Sequence, residues 1–289
     1  MTGHDPGFLG VPVPLPRADR PLRELPSTHF TVQLDPVRRL AAATVVDVDG
    51  ARLRDVPRED DWYLDPRVPA SEQAGPALYA RNDLDRGHLV RRRDPVWGSA
   101  AEARRASAET FAYPNAAPQA ASFNQSRELW NGLEDHVLEH AEAWRLRLCV
   151  LTGPVLAPDD PVYRGVGIPR LYWKVVAWTD GATDGGAGTD RAGRRALAAT
   201  AFVLDQSPQL DVVGLRDATA RVLAADEVPP LGPFRTFQVP VADVAALTSL
   251  DLGPLPAADV LAPAGVVPSG APDRGAWSEL TAPGDVRLR

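Results

Sequence analysis

One histidine of the 289-residue chain lies in a segment whose charge is opposite to that of the whole protein. His88 ends the tetrapeptide DRGH that begins at Asp85, and residues 81–93 hold five arginines against two aspartates, a local charge of +3 in a chain of net charge −7. Histidine is the commonest general base near neutral pH. Surrounding arginines favour its deprotonated form and attract phosphate groups. The alternative that stays open is that these arginines pair with an acidic surface.

A second segment is rich in side-chain amides that could bind a cation. Four of them lie within eleven residues: Asn115, Gln119, Asn124 and Gln125. A neutral oxygen beside a helix suits Mg²⁺, which keeps most of its waters and needs few protein ligands. Amides in loops also cap helices and stabilise turns, so that explanation stays open as well.

A third pattern offers different metal chemistry. His136 and His140 belong to HVLEH, which matches the H-x-x-E-H pattern of the inverzincin proteases. Two histidines four residues apart on a helix could share a zinc ion. The acidic neighbours are typical of a solvated helix face, which is the better account, and a zinc protease is the alternative.

Four blocks in order along the chain carry a resemblance to a known family. They are DRGH at 85–88, NAAPQ at 115–119, FNQ at 123–125 and WNGLED at 130–135. They resemble the DNA/RNA non-specific endonucleases, the sugar-non-specific ββα-metal (His-Me finger) nucleases related to endonuclease G. Further similarity, beginning with REDDW at 58–62, extends the resemblance over most of the chain. It implies an α+β fold of the ββα-metal type, with a mainly antiparallel sheet core and flanking helices.

The resemblance implies a metal-assisted hydrolysis of phosphodiester bonds. His88 would be the general base that activates water, and Asn124 would be the direct protein ligand of Mg²⁺, for which Mn²⁺ could substitute. Glu134 would orient water around the ion. It follows Asn124 by ten residues, two more than in better-known members, and two residues turn a helix by about 200°. Glu128 is the substitute if the extra residues lie within the helix.

The resemblance also implies how the substrate is held. Arg86 and Arg58 would neutralise the phosphate, for which a planar guanidinium is well shaped. Asn115 would help to place either the histidine or the phosphate. The products would carry 5′-phosphate ends, and both DNA and RNA would be cleaved because phosphate contacts do not read base edges. The alternative is a catalytically silent member of the same fold that binds nucleic acid or acts as a scaffold.

Regular elements must position these residues. Strand-forming runs occur at 29–34, 43–48, 148–151, 171–178 and 196–204. An alanine-rich helix is predicted from Ser99, its N-cap, to Thr110, and a second helix at about 126–147.

Composition sets the organisation of the chain. The 29 prolines and 23 glycines include many at the two ends, which predicts a proline-rich arm at 1–27, an endonuclease domain at 28–255 and a Pro/Ala/Gly-rich tail at 256–289. The single cysteine excludes an internal disulfide, and the acidic balance argues against a protein that coats nucleic acid. Substrate attraction is therefore expected to be local, around His88.

The sequence also sets expectations about location and partners. The sequence contains no run of 18 apolar residues, so no membrane span is predicted, and no secretory signal is visible. We therefore expect a cytoplasmic protein, with a secreted or delivered effector as the alternative. Because a broad nuclease would endanger its own cell, an inhibitor or regulatory partner is expected. The oligomeric state is left open.

Overall fold

An eight-stranded antiparallel sheet forms the centre of the protein. The computed structural model describes residues 3–120, 145–179, 196–212, 235–262, 272, 274–281 and 283–287. The strands of this part of the chain are β1 Arg17–Ala18, β2 Arg23–Ser27, β3 Phe30–Asp35, β4 Leu40–Asp49, β5 Leu84–His88, β6 Ala116–Ala120, β7 Arg147–Pro154, β8 Val162–Tyr163, β9 Val166–Gly167, β10 Leu171–Thr179, β11 Leu197–Asp205, β12 Arg235–Val239, β13 Leu250–Asp251 and β14 Ser278–Leu280. The sheet order is β14-β12-β11-β10-β7-β4-β3-β2, and β5-β6, β1-β13 and β8-β9 form separate two-stranded ribbons.

Helices are short in the described part of the chain. The α-helices are α1 Pro76–Tyr79, α2 Ala100–Glu109, α3 Ser207–Val212 and α4 Val241–Thr248, and single 3₁₀ turns lie at Ala70–Glu72, Tyr113–Asn115, Leu255–Ala258, Arg274–Ala276 and Pro283–Asp285. The predicted α+β fold with a mainly antiparallel sheet is confirmed. None of the helices described is long and apolar enough to cross a membrane.

The predicted strands and the first predicted helix are confirmed. The five apolar runs correspond to β3, β4, β7, β10 and β11. Ser99 caps α2 by accepting a hydrogen bond from the backbone N–H of Glu102, and the Glu102 carboxylate accepts one from the Ser99 N–H. This reciprocal capping box fixes where α2 begins. The second predicted helix, at about 126–147, lies almost entirely outside the described residues, and β7 begins at Arg147.

The central sheet buries apolar side chains on both faces. Neighbouring residues of a strand point to opposite faces, and Val45 and Val46 of β4 accordingly belong to separate buried clusters. Val90 and Ala117, beside and within the β5–β6 ribbon, pack in the cluster of Val46. Leu9 of the N-terminal segment packs in the cluster of Val45. The β5–β6 ribbon, which is called the β5–β6 hairpin below although residues 89–115 connect its strands, and the N-terminal segment therefore cover opposite faces.

Both proline-rich ends contribute to the sheet. The edge strand β2 belongs to the segment 1–27, and the other edge strand, β14, belongs to the segment 256–289. Proline is tolerated at sheet edges because its missing N–H can face away from the ladder, and Pro26 lies within β2. The predicted boundaries at 27/28 and 255/256 stay predictions, and each end supplies a strand beyond them.

Candidate active site

His88 lies at the end of the first strand of the β5–β6 hairpin. The strands pair antiparallel, with His88 opposite Ala116 and Gly87 opposite Ala117. A β-carbon at Gly87 would overlap the side-chain amide of Gln119, which is buried. Glycine therefore leaves the space that the Gln119 amide occupies beside the residue just before the histidine.

The hairpin is tied to the central sheet by two buried polar side chains. Tyr172 of β10 donates its hydroxyl to the Pro118 carbonyl at 2.6 Å. Gln206, after β11, accepts a hydrogen bond from the Ala120 N–H at 3.0 Å and donates its Nε2 to the Pro118 carbonyl at 3.3 Å. These bonds satisfy backbone groups of β6 that would otherwise be buried unpaired, so the hairpin has a fixed position on the sheet.

Asn115 holds the chain immediately after His88. Its Oδ1 accepts a hydrogen bond from the Val90 N–H at 2.9 Å, and its Nδ2 donates to the carbonyls of Val90 and Thr110, each at 2.9 Å. The residue is fully buried. These bonds fix the backbone that follows His88. Both roles implied by the resemblance, placement of the histidine and contact with the substrate phosphate, stay predictions.

Aromatic rings surround the imidazole of His88. Its ring centroid lies 4.7 Å from that of Trp62 and 5.0 Å from that of Phe111, the latter at an interplanar angle of 88°. Trp62 is held there by its neighbour Tyr63, whose N–H donates to the Phe111 carbonyl and whose carbonyl accepts from the Tyr113 N–H. Although His88 is partly exposed as a residue, its Nε2 is buried and has no hydrogen-bond partner among the described residues.

The surroundings of His88 keep it neutral. Burial lowers its pKa to about 3, with a further contribution from the positive charge of Arg58 and smaller ones from Arg92 and Arg86, while Asp60 opposes them. Burial disfavours the charged imidazolium, and nearby cations disfavour it further. An unprotonated nitrogen without a partner is the form that can accept a proton.

The arginines predicted to hold phosphate lie around this imidazole. The guanidinium carbon of Arg86, an exposed residue, lies 5.3 Å from the centroid of the Trp62 ring. Arg58 is exposed, and its Nε donates to Asp60 at 2.7 Å. The structure thus places Arg86 and Arg58 near His88, and their roles in binding phosphate stay predictions.

Other predicted residues cannot be placed. Asn124, Glu134 and the substitute Glu128 lie in the segment 121–144, outside the described residues, as does the HVLEH pair of His136 and His140. Their roles stay predictions.

Sequence reasoning missed the residues that enclose His88. In the sequence Trp62 belongs to the REDDW segment at 58–62, which does not reveal that its ring lies against His88. The signal for Arg92 is the arginine triplet at 91–93. For Phe111 the sequence carries no signal, because its contact with the imidazole depends on the fold of both segments.

A second group of side chains could be mistaken for a metal site. Ligand atoms of His4, Asp47 and Cys149 lie within 4.8 Å of one another. However, His4 Nδ1 lies 2.7 Å from Asp47 Oδ1 and His4 Nε2 lies 2.7 Å from the Val13 carbonyl, both acceptors. Both ring nitrogens therefore donate, which leaves no lone pair for a metal. Cys149 donates its thiol to the same Asp47 oxygen at 3.3 Å, so the group is a hydrogen-bond network.

The β5–β6 hairpin thus carries a neutral histidine near several arginines and lies on one face of an antiparallel sheet. The chain belongs to the DNA/RNA non-specific endonuclease family, whose sequence pattern matches residues 19–259. The resemblance stated from the sequence is thereby confirmed. All of the predicted site residues fall within the matched range.

Two similar proteins extend this finding. Over 204 residues the chain is 39% identical to the uncharacterized protein y4fB of Sinorhizobium fredii, and the alignment covers 62% of this chain and 30% of that protein. The chain thus spans 30% of the length of this relative. A chain in the crystal structure entitled "Crystal structure of the EndoG/EndoGI complex: Mechanism of EndoG inhibition" superposes with a TM-score of 0.54 at 18% identity, over 79% of this chain and 84% of that chain. At this identity the likeness concerns the fold.

Proposed function

We propose that this chain is a divalent-metal-dependent endonuclease that hydrolyses phosphodiester bonds of DNA and RNA and leaves 5′-phosphate ends. The observation that carries the proposal is the buried, neutral Nε2 of His88, free of described partners and surrounded by arginines. Membership of the DNA/RNA non-specific endonuclease family supports the substrate class.

His88 would accept the proton of the attacking water. In the free protein the nearby guanidinium groups add to the effect of burial in holding its pKa low. A bound phosphate diester brings a negative charge that offsets Arg58 and Arg86. The pKa of His88 then rises towards the range in which an imidazole accepts protons effectively.

Arg58 and Arg86 would neutralise the scissile phosphate and keep it beside His88. Arg86 is restrained by the Trp62 ring below its guanidinium. Arg58 already holds Asp60, a pair at the surface that can be exchanged for a phosphate at little cost. Such contacts are made to the phosphate backbone, which DNA and RNA share, so they support a broad substrate range.

The described half of the site fits metal-assisted hydrolysis, because an unpartnered neutral base is the group that such a reaction needs from the hairpin. Asn124 would hold Mg²⁺, with Mn²⁺ as a substitute, and Glu134 would stand beside it. When bound, the ion would act as a Lewis acid that stabilises the charge developing on the phosphate oxygens.

The direct test is cleavage of plasmid DNA and of a structured RNA by the purified chain, with Mg²⁺ or with EDTA. We expect cleavage of both with Mg²⁺ and none with EDTA. Replacement of His88 by alanine should lower the rate by about 10²–10⁴-fold, the usual contribution of a general base. Arg17→Gln, which removes an exposed cation paired with Asp251, is the control and should leave the rate unchanged.

Two outcomes would contradict the proposal. Absence of cleavage with Mg²⁺, or a His88→Ala rate equal to the wild-type rate, would do so. Binding of DNA without cleavage in any divalent metal would identify the silent member of the fold. The expected inhibitor or partner and the cytoplasmic location stay predictions.

A further inference from the structure

Arg92 is a half-buried cation to which the sequence motifs give no role. It follows β5 in the chain, and its Nη1 donates to the carbonyl of Val56 at 3.2 Å. Val56 lies two residues before Arg58, so this bond holds the segment carrying Arg58 against the segment carrying His88 and Arg92. The two guanidinium groups thereby come from separate segments, close enough for the charge of Arg58 to lower the pKa of Arg92.

The charges around Arg92 are mostly of its own sign. Its pKa is lowered, first by burial and then by the charges of Arg58 and Arg93, whereas Asp55 opposes these effects. Among the residues that the structure describes, no carboxylate forms an ion pair with Arg92. A partly desolvated guanidinium beside others of like charge is unfavourable until an anion joins them.

The same group of arginines acts on the base. Arg58, Arg92 and Arg86 all lower the pKa of His88, and Arg92 contributes more than Arg86. Arg92 is therefore within electrostatic reach of the atom that would accept the proton. A phosphate diester placed against Arg58 and Arg92 would lie beside His88, and the Val56 carbonyl would keep Arg92 in position for it.

We propose that Arg92 is a substrate-positioning residue, which together with Arg58 binds a backbone phosphate of the nucleic acid next to His88. This inference rests on the proposed function and adds to it a phosphate-binding residue outside the DRGH tetrapeptide. Its guanidinium offers further N–H donors beyond the one used by Val56, and a phosphate accepts such donors in pairs.

The test measures binding in a His88→Ala background, where the substrate stays intact. A labelled DNA duplex and a labelled RNA of the same length are titrated at several NaCl concentrations, and the slope of log affinity against log salt is determined. Arg92→Gln should weaken binding about 10-fold and reduce the slope by roughly one phosphate contact. Arg92→Lys keeps the charge and should retain the slope. Arg17→Gln is the control for loss of an exposed arginine elsewhere.

The proposal is overturned if Arg92→Gln keeps the affinity and slope of the background protein, or if Arg92→Lys loses as much of both as Arg92→Gln. If Arg92→Gln does not fold, phenylglyoxal labelling of the His88→Ala protein decides the matter by mass spectrometry. Bound oligonucleotide should protect Arg92 but not Arg17, and equal labelling of Arg92 with and without oligonucleotide would overturn it.

These results are separable from the proposed function. An active wild-type nuclease whose salt slope is independent of Arg92 would refute the phosphate-binding role alone. A wild-type protein that does not cleave, although Arg92 sets the salt slope of binding, would refute the nuclease activity alone.

Discussion

At the scale of single residues, His88 is defined by what surrounds it. Trp62 and Phe111 pack against the ring, and its Nε2 is buried. This burial is the first cause of the lowered pKa, and the charge of Arg58 is the second. An exposed histidine titrates near pH 6.5, whereas this imidazole stays neutral throughout the physiological range.

The lowered pKa predicts the pH dependence of cleavage. The quantity kcat/KM reports the ionisation of the free enzyme, so His88 should cause no loss of kcat/KM between about pH 7 and pH 4, and its acid limb should lie near pH 3. Because a cation lowers the pKa of a nearby histidine, Arg58→Gln should move this limb upwards by a fraction of a pH unit to roughly one unit.

The measurement is a pH profile of kcat/KM for the wild type and the variant, with Arg17→Gln as the control that should not shift it. A limb of His88 near pH 6.5 in the wild type would show that the base is solvated, contrary to the geometry described.

At the scale of elements, the β5–β6 hairpin positions the base. Gly87 leaves room for the buried Gln119 side chain on the opposite strand. Asn115 then directs the chain away after His88 through three hydrogen bonds to backbone groups. The imidazole is therefore restrained from both sides along the chain.

Replacement of Gly87 by alanine tests this packing. The added methyl group overlaps Gln119, so the strands must separate or the amide must leave its buried position. We expect a loss of about 1–3 kcal/mol in the free energy of unfolding, typical of an overpacked core, together with a fall in cleavage rate because His88 is the next residue.

Thermal unfolding and cleavage rates measure the two effects. Gly284→Ala is the matched control, since a β-carbon there meets nothing within 4 Å, and it should change neither. An unaltered melting temperature for Gly87→Ala would mean that Gln119 moves without cost.

At the scale of the whole molecule, different segments of the chain cover the two faces of the sheet. The hairpin with the site covers one face, and the N-terminal segment covers the other with Leu9. His4 fastens that segment by donating to Asp47 of β4 and to the Val13 carbonyl. Asp47 also accepts the Asp5 N–H at 2.8 Å, so the attachment is a buried polar network.

This network predicts that stability depends on pH. Burial lowers the pKa of His4, but the hydrogen bond and charge of Asp47 outweigh it, and the net pKa is raised. The protonated form is therefore favoured in the folded state. Its contribution to the free energy of unfolding is fully present below the ordinary value of 6.5 and is lost as the pH rises through the raised folded pKa.

Urea unfolding at pH 5.5 and pH 9 tests this dependence. At pH 5.5 the free energy of unfolding of the wild type should exceed that of His4→Gln by about 3 kcal/mol, since breaking a buried pair leaves a buried charge without its partner. At pH 9 the difference should be smaller. His29→Gln is the matched control, because burial lowers the pKa of His29 and its pH dependence should have the opposite sign. A His4→Gln difference that is the same at both pH values would contradict the prediction.

The proline-rich ends show that a local sequence pattern does not reveal pairing between strands that are distant in the chain. Proline lacks an N–H, so local signals predicted an arm and a tail at the ends. Nevertheless, β2 and β14 are the edge strands of the central sheet. An edge strand needs only one ladder of hydrogen bonds, and a local pattern does not reveal which distant strand offers the open edge.

The sequence by itself determined the strands β3, β4, β7, β10 and β11, the capped helix α2 and the DRGH tetrapeptide that ends at His88. These features depend on the alternation of apolar residues, on capping side chains and on blocks of adjacent residues, all of which are local. Only the tertiary structure decided that Trp62 and Phe111 enclose the imidazole and that Arg92 stands beside Arg58. Desolvation and electrostatic effects depend on which groups are close in three dimensions and not on their order in the chain. The protonation state of His88 is therefore set when distant segments pack against it.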